Sequence, residues 1–306
     1  MVVALAGGVG AARMLSGLVR AVDPAEVTAI VNTGDDIVLH GLHISPDLDT
    51  VTYTLAGAIN PVTGWGLAGE SWAAMDALGR YSENTWFRLG DRDLATHMHR
   101  TQRLSDGATL TEITAEITAA WGLELRLLPM SNDRVETRVD VVDEGEIGFQ
   151  EYFVGRQHDV AVRALRFDGA SAARPAPGVL EAIADADRIV ICPSNPLVSI
   201  GPILAIPGIR DALITRRDAV VAVSPIVAGA ALKGPADRML TELGHDASVV
   251  GVARLYAPIA ACLVVDVADR ELVEAVESEG MRCIATDTVM SSPVVAAALA
   301  ETVLAA

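Results

Sequence analysis

VVALAGGVGAARMLSGLV, residues Val2 to Val19, runs an apolar stretch into a glycine turn and then into a helical pattern carrying Met14, Leu15, Leu18 and Val19. A second apolar stretch, Val27 to Val31, follows at once. Short continuous apolar runs fit strands buried on both faces of a parallel sheet, and a helix between two of them completes a βαβ unit. In such sheets ligands bind outside the carboxyl ends of the strands, so the segments that follow the strands carry the chemistry.

Downstream of this opening the strand signal fades between Gly64 and Trp121, where helical patterns lie around Ser71 to Leu78, Leu94 to Leu104 and Leu110 to Trp121. Strand patterns return at Leu123 to Leu128, Arg138 to Val142, Ile147 to Val154 and Val160 to Phe167, with a turn at Asp143 to Gly145. The βαβ rhythm then resumes, with strands expected at Arg188 to Cys192, Ala219 to Val223, Ala261 to Val265 and Arg282 to Ala285. The economical solution is one α/β unit over residues 1–306, a doubly wound, mostly parallel Rossmann-like sheet. Its core spans about 1–60 and 122–306, with an inserted helical lobe at about 61–121.

Composition narrows the function. The 306 residues are 51% apolar and only 4% aromatic, which suits closely packed layers with a sizeable interior. A net charge of −17 argues against nonspecific nucleic-acid binding and against anionic membrane surfaces, since both need a basic patch. It leaves anionic small ligands open, because a local site can be positive. Lys233 is the single lysine, for which a coding bias toward arginine is the plain explanation. Cys192, Cys262 and Cys283 show no CxxC spacing and no disulfide framework, which predicts a cytoplasmic protein. No apolar run reaches the roughly 18 to 20 residues of a membrane span, and the first residues lack the basic start of a signal peptide.

Four segments fall at expected strand ends: Gly7-Gly8-Val9-Gly10, Asn32-Thr33-Gly34-Asp35-Asp36, Pro193-Ser194-Asn195-Pro196 and Ser224-Pro225-Ile226. Gly8, Gly10 and the following helix can offer backbone N–H groups and a positive dipole end to phosphate. The motif is weak by itself, because the third glycine of the dinucleotide fingerprint is replaced by Arg13 and there is no GK[ST]. A tight strand-to-helix turn is the alternative.

The acidic segment Asn32 to Asp49, NTGDDIVLHGLHISPDLD, is more discriminating. Set beside a phosphate cradle, its carboxylates suggest magnesium-assisted phosphate chemistry. Ser45-Pro46 reads as an N-cap with proline at the first helical position, which puts Asp47 and Asp49 in the first turns of a helix. Residues two apart diverge, so one acid is the better ligand candidate. Asp47 favours the helix dipole, while Asp49 shares a face with Thr52 and Tyr53.

Leu89-Gly90-Asp91-Arg92-Asp93 precedes a helix with His97 and His99. An aspartate N-cap with surface charges is its plain reading. His97 and His99 point apart on a helix and make no metal pair, Asp93 and His97 are i,i+4 neighbours, and Arg92 has a planar fork suited to a phosphate or ring carbonyl. Cys192 lacks an activating base and reads as a buried strand cysteine, while Lys233 in LKGPADR is a candidate phosphate contact.

GGVGAARMLSGL, VNTGDD, ISPDLDT, LGDRDLATHM, LPMSND, PSNPLVSIGPIL, SPIVAG, KGPADRML and TDTVM occur in this order, and the ordered set resembles the 2-phospho-L-lactate transferase family over nearly the whole chain. Actinobacterial members are called phosphoenolpyruvate transferases, and members act in synthesis of the deazaflavin coenzyme F-420. The resemblance implies transfer of an enolpyruvyl or lactyl phosphate from a guanosine diphosphate donor to the ribityl hydroxyl of the deazaflavin Fo, with guanosine monophosphate leaving. It also implies a homodimer.

On that resemblance the expected catalytic residues are Asp49, as a metal-linked or Fo-positioning carboxylate, and Arg92, against Fo or a phosphate. Asp49 and Asp47 are the expected magnesium ligands, since two phosphates must meet an alcohol within a strongly acidic protein. Gly8, Gly10, Asn32, Asp35, Asp36, Asp91, Ser194, Asn195 and Ser224 make up the expected substrate-binding set. The glycine turn and the Ala- and Arg-rich composition lean toward an enolpyruvyl donor. Two other classes remain. One is a CofD-like nucleotide-binding regulator without transferase activity, disfavoured by LGDRD and PSNP together; the other is an NAD-dependent oxidoreductase, disfavoured by Arg13 and by Asn32 where an acid would meet the ribose.

Overall fold

The computed structural model describes residues 1–81 and 85–306. Its strands, in chain order, are β1 (Val2–Ala6), β2 (Val27–Val31), β3 (Ile37–Leu39), β4 (Leu42–Ile44), β5 (Arg126–Pro129), β6 (Glu136–Val141), β7 (Gly145–Gly148), β8 (Val162–Asp168), β9 (Arg188–Ile191), β10 (Val220–Val223), β11 (Ile226–Val227), β12 (Ala230–Ala231), β13 (Cys262–Asp266) and β14 (Arg282–Thr286). Seven of them form one sheet in the order β14-β13-β10-β9-β1-β2-β5, every neighbour parallel. The fold is α/β, with helices on both faces of the sheet.

Both faces of the sheet are buried, and the side chains of β1 show it. Val3 and Leu5 join one apolar layer with Ile30, Ile189 and Ile191, whereas Val2, Ala4 and Ala6 join the other with Ala29, Val31 and Val190. This alternation explains why the strands read as unbroken apolar runs rather than as a period of two. Helix α1 (Gly8–Ala21) covers the second layer and packs on the C-terminal helix Pro293–Ala305. Gly17 is needed there, since a Cβ would collide with the Ala296 carbonyl.

The chain leaves β1 toward β2 on one side and later returns as β9 on the other, so the topological switch point lies between β1 and β9. The carboxyl ends of these two strands diverge into a crevice. After β2 the chain makes a hairpin that the sequence reading did not foresee: β3 and β4 pair antiparallel around His40 and Gly41, both at positive φ. Helix α2 (Pro46–Leu55) then brings Asp47 and Asp49 over the crevice.

The described residues of 61–121 include the helices α3 (Ala73–Leu78), α4 (Asp93–Ser105) and α5 (Leu110–Ala120), with α4 packed on β4 and on α5, and α5 on β5. A second sheet, β7-β6-β8, is antiparallel. The long strand expected over Ile147 to Val154 is a correction: β7 ends at Gly148, and Glu151–Gly155 forms a helical turn instead. That turn stacks Phe149 on Phe153, ring centroids 5.5 Å apart, so apolar burial beats the β-propensity of the segment. Among the described residues no single helix is long and apolar enough to cross a membrane.

Candidate active site

A cavity of about 500 Å³ opens at the carboxyl ends of β1 and β9. Its floor carries Asp35, Asp47, Asp49 and Asp93, its cations are Arg13, Arg88 and Lys233, and its apolar wall includes Trp65, Phe87, Phe149 and Phe153. The Gly7–Gly10 turn, Ser194, Asn195, Ser224, Thr288 and Met290 also line it.

Asp47 sits at the centre of the polar part. Its Oδ1 accepts the Gly8 N–H at 2.8 Å and its Oδ2 accepts Asn32 Nδ2 at 3.0 Å, while Asn32 Oδ1 takes the Gly34 N–H at 2.8 Å. Asn32 is therefore a brace behind Asp47 rather than a wall of the cavity. Burial pushes the Asp47 carboxyl up to about 6 against the pull of these two hydrogen bonds. Asp35 is held well above the usual carboxylate range by burial and then by the Asp47 charge. Asp36 is raised mainly by burial, although Ser45 Oγ donates to it at 2.6 Å.

Two expectations change here. Ser45 stands at the N-cap of α2, but its hydroxyl is engaged with Asp36 and leaves the cap unmade. Asp47 does not simply favour its own helix dipole; its carboxylate crosses to the first N–H of α1, which the sequence reading had left free for phosphate.

Asp49 belongs to a second network. Arg100 Nη2 donates to its Oδ1 and Arg100 Nη1 to its Oδ2 at 3.2 Å, and both residues are buried. His97 lies between two acids, with Nδ1 3.7 Å from Asp49 Oδ2 and Nε2 3.4 Å from Asp93 Oδ2. Tyr53 donates its hydroxyl to Asp93 Oδ1 at 2.5 Å. Burial raises the Asp49 carboxyl despite Arg100 and His97. Burial also works upward on Asp93, but the His97 ring 3.4 Å away, with the Tyr53 hydroxyl, outweighs it and holds that carboxyl low.

Which residues could hold a cation follows from what is left unpaired. Asp35 Oδ1 and Asp36 Oδ1 are buried and find no hydrogen-bond partner among the described residues, nor does His97 Nε2. Asp49, Asp93 and His97 each offer a donor atom within 4.8 Å of the others. Arg100 already covers both oxygens of Asp49, whereas among the described residues no guanidinium covers Asp35 or Asp47. Hard oxygens, pushed toward neutrality chiefly by their burial, match a hard divalent cation.

The remaining expected residues divide. Gly8, Gly10, Ser194, Asn195 and Ser224 line the cavity. Gly10 is required by packing, since a Cβ would strike the Pro193 carbonyl. Ser194 Oγ donates to the Gly7 carbonyl at 2.8 Å, tying the two strand-end turns together, and Asn195 Oδ1 accepts the Leu197 N–H at 2.9 Å. Ser224 Oγ accepts the Ile226 N–H at 3.1 Å. Asp36 and Asn32 stand behind this wall.

Arg92 and Asp91 are not brought to the cavity. Arg92 Nη1 donates to the Ala68 carbonyl on the outside of the lobe. Asp91 accepts the Ser71 hydroxyl and the N–H groups of Ala73 and Ala74, so it holds the start of α3. Cys192 is fully buried with its thiol raised by burial, which removes it as a nucleophile.

The sequence reading missed Arg100, and it set His97 aside as a mere neighbour of Asp93. Asp93, His97 and Arg100 stand at i, i+4 and i+7 on α4, one face of the helix, and that spacing was the available signal. His99 diverges to Glu116, at 3.1 Å, as a residue two positions on must. Thr288 and the pair Phe149 and Phe153 carried no local signal, because only the sheet order brings them to the crevice.

A family model described as 2-phospho-L-lactate transferase CofD matches residues 2–303. A phosphoenolpyruvate transferase of Kitasatospora aureofaciens is 48% identical over 310 residues, covering 99% of this chain and 97% of that protein. Its counterpart in Streptomyces griseus is 48% identical over 308 residues, with 99% and 97% covered, and that of Streptomyces coelicolor is 46% identical over 295, with 95% and 92% covered. Among solved structures, a member of the UPF0052 family from Bacillus halodurans superposes with a TM-score of 0.61 at 19% identity, covering 99% of this chain and 98% of that one, a likeness of fold.

Proposed function

The chain belongs to the 2-phospho-L-lactate transferase CofD family, and from that premise we propose that it transfers an enolpyruvyl-phosphate group from a guanosine diphosphate donor to the terminal ribityl hydroxyl of Fo. The acceptor hydroxyl forms a bond to the phosphorus that bears the organic acid. The bond from that phosphorus to the oxygen bridging the two phosphates breaks, guanosine monophosphate leaves, and a phosphodiester of the coenzyme F-420 pathway results. The observation that carries this reading is the cavity at the β1/β9 switch point, where buried carboxylates face the glycine turn on one side and an aromatic wall on the other. Relatives named phosphoenolpyruvate transferases at 46–48% identity favour the enolpyruvyl over the lactyl donor.

Asp47 and Asp49, with Asp35 beside Asp47, would hold a magnesium ion, of which Asp49 must share its oxygens with Arg100. Such an ion would supply charge neutralisation for the phosphates. Asn32 and Gly8 fix the orientation of Asp47, and Arg100 keeps the charge of Asp49 compensated inside the protein. Phe149 and Phe153, with Phe87 in the same lining, give the planar deazaflavin an apolar face. A homodimer in the cytoplasm is part of the same proposal, and light scattering tests the dimer. The direct test supplies purified protein with magnesium, Fo and the guanylylated enolpyruvyl donor. Transfer gives guanosine monophosphate and modified Fo in equal amounts; nucleotide binding without either product is the outcome for a regulator of the same fold.

A further inference from the structure

Three cations line the cavity, and they are not alike. Arg88 is paired with Asp76 at 2.6 Å and lies over Trp72, 5.0 Å from the ring centroid. Among the described residues Arg13 and Lys233 have no carboxylate within ion-pair distance, in a chain with 40 acidic and 23 basic residues. Lys233 Nζ reaches only the Thr63 carbonyl, at 3.4 Å. A Cβ built on Gly64 would lie 3.2 Å from that ammonium and 3.5 Å from Val9 Cγ1, so the lysine stands beside the glycine turn. Arg13 is four residues beyond Val9 on α1, one turn along the same side.

Cations left without acids at the rim of a site whose floor is acidic complement a ligand that is itself anionic. The floor cannot receive such a ligand without a cation, but the rim can. We propose that Arg13 and Lys233 form a two-cation clamp for the diphosphate of the nucleotide donor, Lys233 exchanging its long bond to the Thr63 carbonyl for a phosphate oxygen. Arg13 supplies a fork and Lys233 a point charge. The inference rests on the proposed transfer and adds to it which side chains recognise the donor rather than the deazaflavin.

Lys233 is the sole lysine, so the one side-chain amine can be followed apart from the Met1 α-amine by its own peptide. The acetylation rate of Lys233, read by peptide mass spectrometry, is measured with guanosine diphosphate and magnesium, and separately with Fo alone. Guanosine diphosphate should slow it and Fo should not. In Arg13→Met and Lys233→Met the dissociation constant for guanosine diphosphate and the donor KM should each rise about tenfold, a loss typical of one charged hydrogen bond, with the Fo KM unchanged. Lys233→Arg should recover most of the affinity. Protection together with weakened nucleotide binding upholds the clamp even if no transfer is detected, an outcome that would remove the transfer reading alone. Parental guanosine diphosphate affinity in both methionine variants, or acetylation indifferent to the nucleotide, overturns the clamp while leaving transfer intact.

Discussion

Asp47 Oδ1 accepts the backbone N–H of Gly8 at 2.8 Å, so the protein's own carboxylate occupies the start of α1, where a phosphate would otherwise find its donor. Gly8 and Asp47 are 39 residues apart in sequence and meet only because the β3–β4 hairpin carries α2 back over the crevice. The contact makes Asp47 the acid that any ligand at the glycine turn must address.

Asp47→Asn should therefore reduce turnover by about a hundredfold, the scale of losing one well-placed charged group in phosphoryl transfer. Folding should survive, because relief of a buried charge offsets the mismatch with Asn32 Nδ2. Turnover at saturating magnesium, with a thermal melt beside it, checks this. Parental turnover would take Asp47 out of the mechanism.

Stability should depend on pH through the same residue. Asp47 is held at about 6 when folded against an ordinary value of 3.8, so between these values the folded state keeps a proton that the unfolded state has lost. The sign is then fixed: stability falls as pH rises through this window. Asp47 alone accounts for about 3 kcal/mol at most, at about 1.36 kcal/mol per unit. Burial raises Asp35, Asp36 and Asp49 in the same direction. Denaturant midpoints of the metal-free protein should drop between about pH 4 and 6, less so in Asp47→Asn, and magnesium should recover the loss at the higher pH. An identical pH profile for parent and variant would contradict this.

Asp49→Ala removes the carboxylate that both Nη atoms of Arg100 hold and leaves that buried charge, among the described residues, only the His43 carbonyl and the His97 ring, which costs about 3–5 kcal/mol of stability. The double variant Asp49→Ala/Arg100→Met should regain most of that stability but not the turnover. If Asp49→Ala alone melts with the parent, the pair has no structural role.

Arg92→Ala should keep turnover within about twofold, as expected of an exposed side chain outside the cavity. Asp91→Ala should lose about 1 kcal/mol, the usual value of a helix cap, with unchanged activity per folded molecule. A large fall in kcat for Arg92→Ala would return this residue to the site.

The parallel sheet was legible because its central strands are short apolar runs with both faces buried, as the split of β1 between two core layers shows. The segments at the ends of β1, β2 and β9 were legible for the same reason, since a strand end is where an apolar run stops. Partnership was not. Nothing local told that Asp47 would bond Gly8, that Arg100 would neutralise Asp49, or that Phe149 would leave a strand to stack on Phe153. Arg92 and Asp91 misled because a charged cluster before a helix reads alike whether it faces a ligand or caps a neighbouring helix.

The most direct test of the transferase assignment supplies the enzyme, magnesium and Fo with equal amounts of the enolpyruvyl and lactyl guanosine diphosphate donors, and follows products by mass spectrometry. Guanosine monophosphate should appear in step with a phosphodiester of Fo, and the enolpyruvyl product should predominate. Tight nucleotide binding with Fo left unmodified would contradict the transferase assignment, and a predominantly lactyl product would contradict the donor.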